Sequence, residues 1–171
     1  MKADPIHHIR HDDTGKVQSG QIAASALHRQ WIGLSVTGDS VTIDPLPTPP
    51  HPAAPLFLQS IDLEIGLFRR GQSAPAEQLS VDDIIKILLK AFSHIIVGLN
   101  ESIAFEFRGV PLKGTIKGLS VLELADEQQR NTHGGGFDSG RRDSGILMEK
   151  TDINILKDPE SAIKLKSSSK K

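Results

Sequence analysis

Three histidines and two aspartates near the start of the chain are of residue types that bind metal ions: His7, His8, His11, Asp12 and Asp13. Imidazole and carboxylate groups are the usual protein ligands of zinc and related ions. The same segment is typical of a β-strand, in which neighbouring side chains point to opposite faces. His7 and His8 then diverge, so we interpret the cluster as a solvated strand and turn, with metal binding as the weaker alternative.

A glycine-rich run at 133–136, with the sequence His-Gly-Gly-Gly, is similar to the oxyanion-hole loop of lipases and esterases. Those enzymes place their nucleophile in a G-x-S-x-G turn, and Ser139 stands one position too late for that pattern. No G-x-x-x-x-G-K-[ST] run occurs, so the sequence carries no P-loop for a nucleotide phosphate. We therefore predict that this chain is not an enzyme and binds no cofactor or metal.

One serine has the context of a phosphorylation site. Ser144 follows Arg141 and Arg142 at a spacing typical of sites for basophilic kinases. A phosphate there would add about −1.5 to −2 charge to a surface loop predicted at 126–144. Because such short matches are common by chance, a solvated loop is the simpler interpretation of these residues.

Three arginines are the candidate binding residues. Arg29 lies two positions before the single tryptophan, Trp31, and Arg69 and Arg70 follow a predicted strand. Cations at strand ends and turns are usually no more than solvated surface groups. An arginine side chain also suits an acidic partner, because its planar fork donates two parallel hydrogen bonds to a carboxylate.

The composition fits a soluble globular chain and excludes several functions. The 171 residues are 37% hydrophobic and 24% charged, and the formal net charge is −1, so no global field attracts a nucleic acid. With 4% aromatic residues there is no set of rings on which bases could stack. The absence of cysteine excludes disulfides and thiolate catalysis. Because no apolar run is long enough to span a bilayer, we expect a cytoplasmic protein that neither inserts into membranes nor binds nucleic acid.

Proline placement divides the chain. Six of the ten prolines fall within 45–55, where they exclude a helix interior and a central strand. Before them, short β-like runs at 6–10, 21–26 and 32–43 predict a small all-β piece without a helix. The predicted organisation has four parts: a β subdomain over 1–45, a proline-rich linker over 46–55, an α+β subdomain over 56–166, and a disordered tail or linker over 167–171.

The second unit shows clear periodicity. Alternating apolar residues predict a strand over 56–68, and a three-to-four spacing that includes Ile84 and Leu88 predicts a helix over 81–97. Ser80 is the expected N-cap and Gly98 the expected end of this helix, with Lys86 and Lys90 facing solvent. Further strands are predicted at 102–107, at 112–124 with a kink at Gly118, and at 146–156. The order β-α-β-β-β indicates one helix packed on a mostly antiparallel sheet.

Three stretches together resemble a known family. The run 28–35, His-Arg-Gln-Trp-Ile-Gly-Leu-Ser, is similar to a Q-R-x-W-x-G-x-S segment in the N-terminal domain of the vesicle-fusing AAA ATPases, the family of N-ethylmaleimide-sensitive factor. The strand at 60–65 followed by Arg70 and Gly71 looks like the start of that family's second subdomain. The runs 145–147, 150–154 and 165–168 look like its closing strand and exit.

The resemblance implies a fold and a set of partners. The fold would be a double-ψ β-barrel subdomain, here only partial, joined to an α/β subdomain. In the family this domain binds SNAP adaptors, and through them SNARE complexes, by basic residues around the cleft between subdomains. Arg29 and Arg70 match such positions and Arg69 is adjacent, so these three are the implied partner-binding residues.

Further expectations follow from the family. ATP and Mg²⁺ would bind ATPase domains that this sequence lacks, and a hexamer is expected only with those domains. The opening barrel strands are also missing, so we expect a fragment, located in the cytoplasm and peripheral to membranes through SNAP and SNARE proteins. The alternative is a free-standing protein-interaction adaptor of the same fold without motor domains.

Overall fold

The computed structural model describes residues 12–46, 56–69, 71–122 and 143–166. The histidines at 7, 8 and 11, the glycine-rich run, Arg70, most of the proline-rich segment and the tail lie outside these residues. The predictions made for them therefore stay predictions.

The described residues form two helices and eight strands. These are α1 (Ala26–Ile32), β1 (Leu58–Leu67), β2 (Leu79–Ser80), α2 (Val81–Phe92), β3 (Ile96–Gly98), β4 (Ser102–Phe107), β5 (Val110–Val121), β6 (Ser144–Ile146), β7 (Asp152–Lys157) and β8 (Leu165–Lys166).

Four strands make the main sheet, in the order β4-β5-β1-β7. β5 runs antiparallel to both of its neighbours, β4 and β1, whereas β7 runs parallel to β1. Two short pairs, β2 with β8 and β3 with β6, lie outside this sheet. The prediction of an α+β unit with a mostly antiparallel sheet is confirmed.

Strand β1 forms because its apolar residues alternate with polar ones. Ile61, Leu63 and Ile65 are buried, and Leu112 and Ile116 of the neighbouring β5 lie in the same apolar cluster. The strand lies within the predicted range 56–68, and the alternation that predicted it is present in its burial. This cluster is the core on which α2 packs.

Helix α2 begins where its cap predicts. The Ser80 hydroxyl accepts a hydrogen bond from the backbone N–H of Asp83 at 3.4 Å, as an N-cap does. Ile84 and Leu88 are buried in the core, and Lys86 and Lys90 are exposed. The predicted start, the solvent face and the burial of Ile84 and Leu88 are confirmed, whereas Phe92 is only half-buried and Ile95 and Ile96, predicted for the same stripe, lie beyond the helix.

The predicted end of this helix is wrong. Helix α2 stops at Phe92, and the next residues, Ser93 and His94, leave the helical conformation, His94 with a φ of 66°. The apolar residues that follow form β3, which pairs with β6 through Ile96 and Ile146. An apolar run of this kind fits the spacing of a helix as well as that of a strand. Pairing with a distant strand decides between the two.

The strand predicted over 146–156 is two strands. β6 pairs with β3, and β7 pairs with β1 after a turn held by Thr151. The Thr151 hydroxyl donates to the carbonyl of Leu58 at 2.8 Å and accepts from the N–H of Met148 at 2.9 Å. The kink predicted at Gly118 coincides with a shift in the β1–β5 register, since Asp62 pairs with Gly118 and Leu63 with Ile116.

The first part of the chain differs most from expectation. The strands predicted at 21–26 and 32–43 are wrong, because α1 is the sole helix or strand within residues 12–46. Helix α1 has Ser25 as its N-cap, whose hydroxyl accepts from the N–H of His28 at 3.2 Å, and Gly33 as its C-cap, with a φ of 77°. A serine cap and a left-handed glycine eight residues later are a signal for a short helix that the strand prediction missed.

Hydrogen exchange should be fast in residues 35–45 and slow in the main sheet. Residues 35–45 are exposed and lie outside any helix or strand, so their amides should exchange within the dead time of a manual experiment. Amides in the centre of β1 and β5 should be strongly protected, because both strands pair inside the main sheet. Measurement by mass spectrometry at neutral pH tests this, and strong protection across 35–45 would contradict it.

Candidate functional site

Helix α1 is attached to the α+β unit through its tryptophan. The Trp31 indole N–H donates to the carbonyl of Leu99 at 3.3 Å, in the turn between β3 and β4. Its ring lies so close to Gly98 that a methyl group at that position would be 2.8 Å from Trp31 Cζ2. Gly98, predicted as the end of a helix, instead provides the space into which this ring packs.

A buried carboxyl group lies beside this contact. Glu101 is only 5% exposed, and one of its carboxyl oxygens accepts from the N–H of Gly98 at 2.8 Å. Burial raises the pKa of Glu101 to about 7, although the Gly98 hydrogen bond acts in the opposite direction. Glu101 can therefore hold or release a proton near neutral pH.

A histidine of α1 faces this carboxyl. The distance from His28 Nε2 to Glu101 Oε1 is 3.7 Å, while His28 Nδ1 lies 3.0 Å from the hydroxyl of Ser25. We call the contacts made by His28, Trp31, Gly98, Leu99 and Glu101 the α1 dock. Because two side chains of α1 reach the same turn, the dock sets the position of this helix and of Arg29 on it.

An open cleft lies next to the dock. It has a volume of about 280 Å³ and is lined by residues of α1, the β3–β4 turn, β4 and β5, namely Leu27, Gln30, Trp31, Asn100, Ser102 and Lys113. We call it the α1 cleft. Sequence reasoning missed it, because its walls come from segments far apart in the chain.

The structure places two of the three predicted arginines. Arg29 lies on α1, half-buried, and its Nη1 donates to the carbonyl of Ala24 at 3.3 Å. Arg69 follows the end of β1 and is exposed, and its backbone N–H donates to Gln72 Oε1 at 3.3 Å. Arg70 lies outside the described residues.

Strand β5 connects the regions of these two arginines. Helix α1 contacts β4, Arg69 follows β1, and β5 lies between β4 and β1 in the sheet. Lys113 of β5 pairs with Ala104 on one side and with Gly66 on the other. Lys113 is thus a cation between the two predicted arginine positions, and the alternation along β5 is the signal that could have revealed it.

Ser144, the candidate phosphorylation site, begins β6 and pairs with Gly98. It therefore lies in a short strand and not in the predicted loop. Arg141 and Arg142 lie outside the described residues, so phosphorylation of Ser144 stays a prediction.

Two further findings concern what the described residues do not contain. No helix among them is long and apolar enough to cross a bilayer. Within the same residues no three His, Asp or Glu side chains lie close enough together to hold a metal ion.

Comparison with known proteins finds two related fungal proteins, and no protein-family model matches the chain. The vesicular-fusion protein sec18 of Schizosaccharomyces pombe is 26% identical over 149 residues, which is 87% of this chain and 18% of that protein. The vesicular-fusion protein SEC18 of Saccharomyces cerevisiae is 24% identical over 152 residues, 89% of this chain and 19% of that protein. The chain thus spans under a fifth of the length of these relatives. These matches confirm the resemblance found in the sequence: over most of its own length the chain is a homologue of the Sec18 vesicular-fusion proteins.

Proposed function

We propose that this chain is the adaptor-binding domain of a vesicle-fusing ATPase. It would bind a SNAP adaptor, and through it SNARE complexes, so that ATPase domains elsewhere can separate them during vesicle-mediated transport. The observation that carries the proposal is the similarity to the Sec18 proteins over 87–89% of the chain. In this role the chain would act in the cytoplasm, at the surface of membranes that carry SNARE proteins.

The proposed contact is electrostatic. Arg29, Arg69 and Arg70 meet carboxylates of an acidic adaptor surface. In support, no carboxylate among the described residues lies within 4 Å of the side-chain nitrogens of Arg29 or Arg69. The exposed guanidinium of Arg69 can thus donate two hydrogen bonds to one carboxylate. Arg29 is half-buried and uses Nη1 for the Ala24 carbonyl, but its other donors can bind a carboxylate.

The proposal also includes the barrel fold and the hexamer of the family. The first part of the chain would join a double-ψ β-barrel subdomain, and hexamers would form only through ATPase domains. Val36, Val41 and Ile43 are 48–77% exposed in the present chain. A barrel would give these apolar side chains a buried environment, which supports this part of the proposal.

Charge reversal at the arginines tests the proposal. The double variant Arg29→Glu, Arg70→Glu of the full chain should bind a purified SNAP adaptor at least about tenfold more weakly, a change of about 1.4 kcal/mol. Raising the salt from 50 to 300 mM should weaken binding of the unaltered chain, with the larger change in the association rate. Biolayer interferometry gives both rates and the affinity.

A matched control comes from helix α2. Lys86→Glu, Lys90→Glu makes the same change in net charge, and both lysines are exposed on α2. This variant should bind the adaptor as the unaltered chain does. If the arginine double variant is folded by circular dichroism and binds with unchanged affinity, the proposed site is wrong.

A further inference from the structure

The α1 cleft is rich in hydrogen-bond donors. Gln30 and Asn100 bring side-chain amides, Ser102 brings a hydroxyl and Lys113 an ammonium group. Leu27 and Trp31 form its apolar wall. No Asp or Glu side chain lines it, so the one charged group of the cleft is a cation.

The two lysines on the exposed face of β5 differ in their partners. Lys117 Nζ lies 3.1 Å from a carboxylate oxygen of Glu64 on β1, so its charge is balanced within the sheet. No carboxylate in the described part of the chain lies within 4 Å of Lys113 Nζ. The ammonium group of a half-buried lysine without a carboxylate partner, beside amide and hydroxyl donors, can bind an external anion.

We propose that the α1 cleft binds a carboxylate side chain of the protein partner, with Lys113 as its counter-charge. The inference rests on the proposed function for the identity of the partner. One lysine balances one carboxylate, while the amides of Gln30 and Asn100 can donate to the second oxygen. At roughly 30 Å³ for each water molecule in the liquid, a cleft of about 280 Å³ has room for such a side chain and several waters.

The position of Lys113 extends the proposed interface. It lies on the strand between the one contacted by α1 and the one that Arg69 follows. Arg29, Lys113 and Arg69 thus belong to α1, to β5 and to the end of β1. An acidic partner would contact these cations together, and one of its side chains would enter the cleft.

The test compares the two lysines of β5. Lys113→Gln should weaken binding of a purified SNAP adaptor by about five- to tenfold, because it removes the counter-charge but keeps a hydrogen-bond donor. Lys117→Gln makes the same chemical change four positions along the strand and should leave the affinity unchanged. Lys113→Arg should bind nearly as the unaltered chain does. Equal affinities for Lys113→Gln and the unaltered chain would overturn the inference.

A second measurement does not depend on the adaptor. Trp31 is the single tryptophan of the chain and lines the cleft, so its fluorescence reports directly on an occupant. Titration with a capped hexaglutamate peptide should change that fluorescence in the unaltered chain and in Lys117→Gln, but not in Lys113→Gln. A peptide response that persists without Lys113 would overturn the inference.

The two proposals can fail separately. If the arginine double variant loses adaptor binding and Lys113→Gln does not, the function stands and the role of the cleft is wrong. If no SNAP adaptor binds but the peptide response depends on Lys113, the cleft is an acidic-side-chain site and the proposed function is wrong.

Discussion

Replacing Leu88 with alanine is expected to lower the free energy of unfolding by about 2–5 kcal/mol. Leu88 is 1% exposed, faces the sheet from α2 and lies in one apolar cluster with Leu63, Ile65 and Leu112. Removing its three outer carbons loses the burial of apolar surface and leaves a cavity that the sheet cannot close. Urea denaturation followed by circular dichroism measures the change.

The control is a neighbouring residue on the opposite side of the same helix. The side chain of Lys86 is 78% exposed and lies 3.7 Å from an Asp83 carboxylate oxygen. An exposed ion pair of this kind contributes little, so Lys86→Ala should change the free energy of unfolding by less than about 0.5 kcal/mol. Equal effects for the two variants would show that the buried face of α2 is assigned wrongly.

Glu101 is expected to make the protein less stable as the pH rises. Its folded-state pKa of about 7 lies above the ordinary value of 4.5, so the folded chain holds a proton that the unfolded chain releases between these two values. The buried, protonated carboxyl makes its full contribution to the free energy of unfolding below about pH 4.5. This contribution is lost as the pH rises through 7. The difference corresponds to up to about 3 kcal/mol at pH 8.

The substitution Glu101→Gln isolates this effect. The amide can still accept from the N–H of Gly98 and carries no charge at any pH, so the variant should lose much less stability than the unaltered chain between pH 5 and pH 8. Urea denaturation at both pH values gives the two differences. Glu149→Gln, at an exposed position, should leave the pH dependence of stability unaltered. If Glu101→Gln has the same pH dependence as the unaltered chain, Glu101 is not the cause of the loss of stability.

Patterns within a dozen residues were enough to predict those helices and strands whose limits depend on local sequence alone. The alternation in β1, the range of β4 and the cap at Ser80 are each visible within a dozen residues. The end of α2 and the division of β6 from β7 depend on partners more than 40 positions away, such as Ile146 for Ile96. No pattern within a short window contains that information.

The site shows the same division. The segment that contains Arg29 was found from its sequence alone, although Arg29 was placed at a strand end or turn and lies on a helix. The burial of Glu101 and the α1 cleft could not be predicted, because both depend on how α1 sits against β4 and β5. The alternation along β5 could have indicated that Lys113 faces outward, but not that it lines this cleft. The burial that raises the pKa of Glu101 exists only in the folded chain.

The parallel pairing of β1 with β7 has a consequence for synthesis of the protein on the ribosome. Asp62 and its partner Asn154 are 92 positions apart, so β1 leaves the exit tunnel long before its neighbour exists. At 5–20 residues per second the wait is about 5–20 s. During that time β1 can pair with β5, but its other edge stays open to any extended chain nearby. A nascent chain of this protein therefore needs protection by chaperones for longest at the edge that β7 eventually covers.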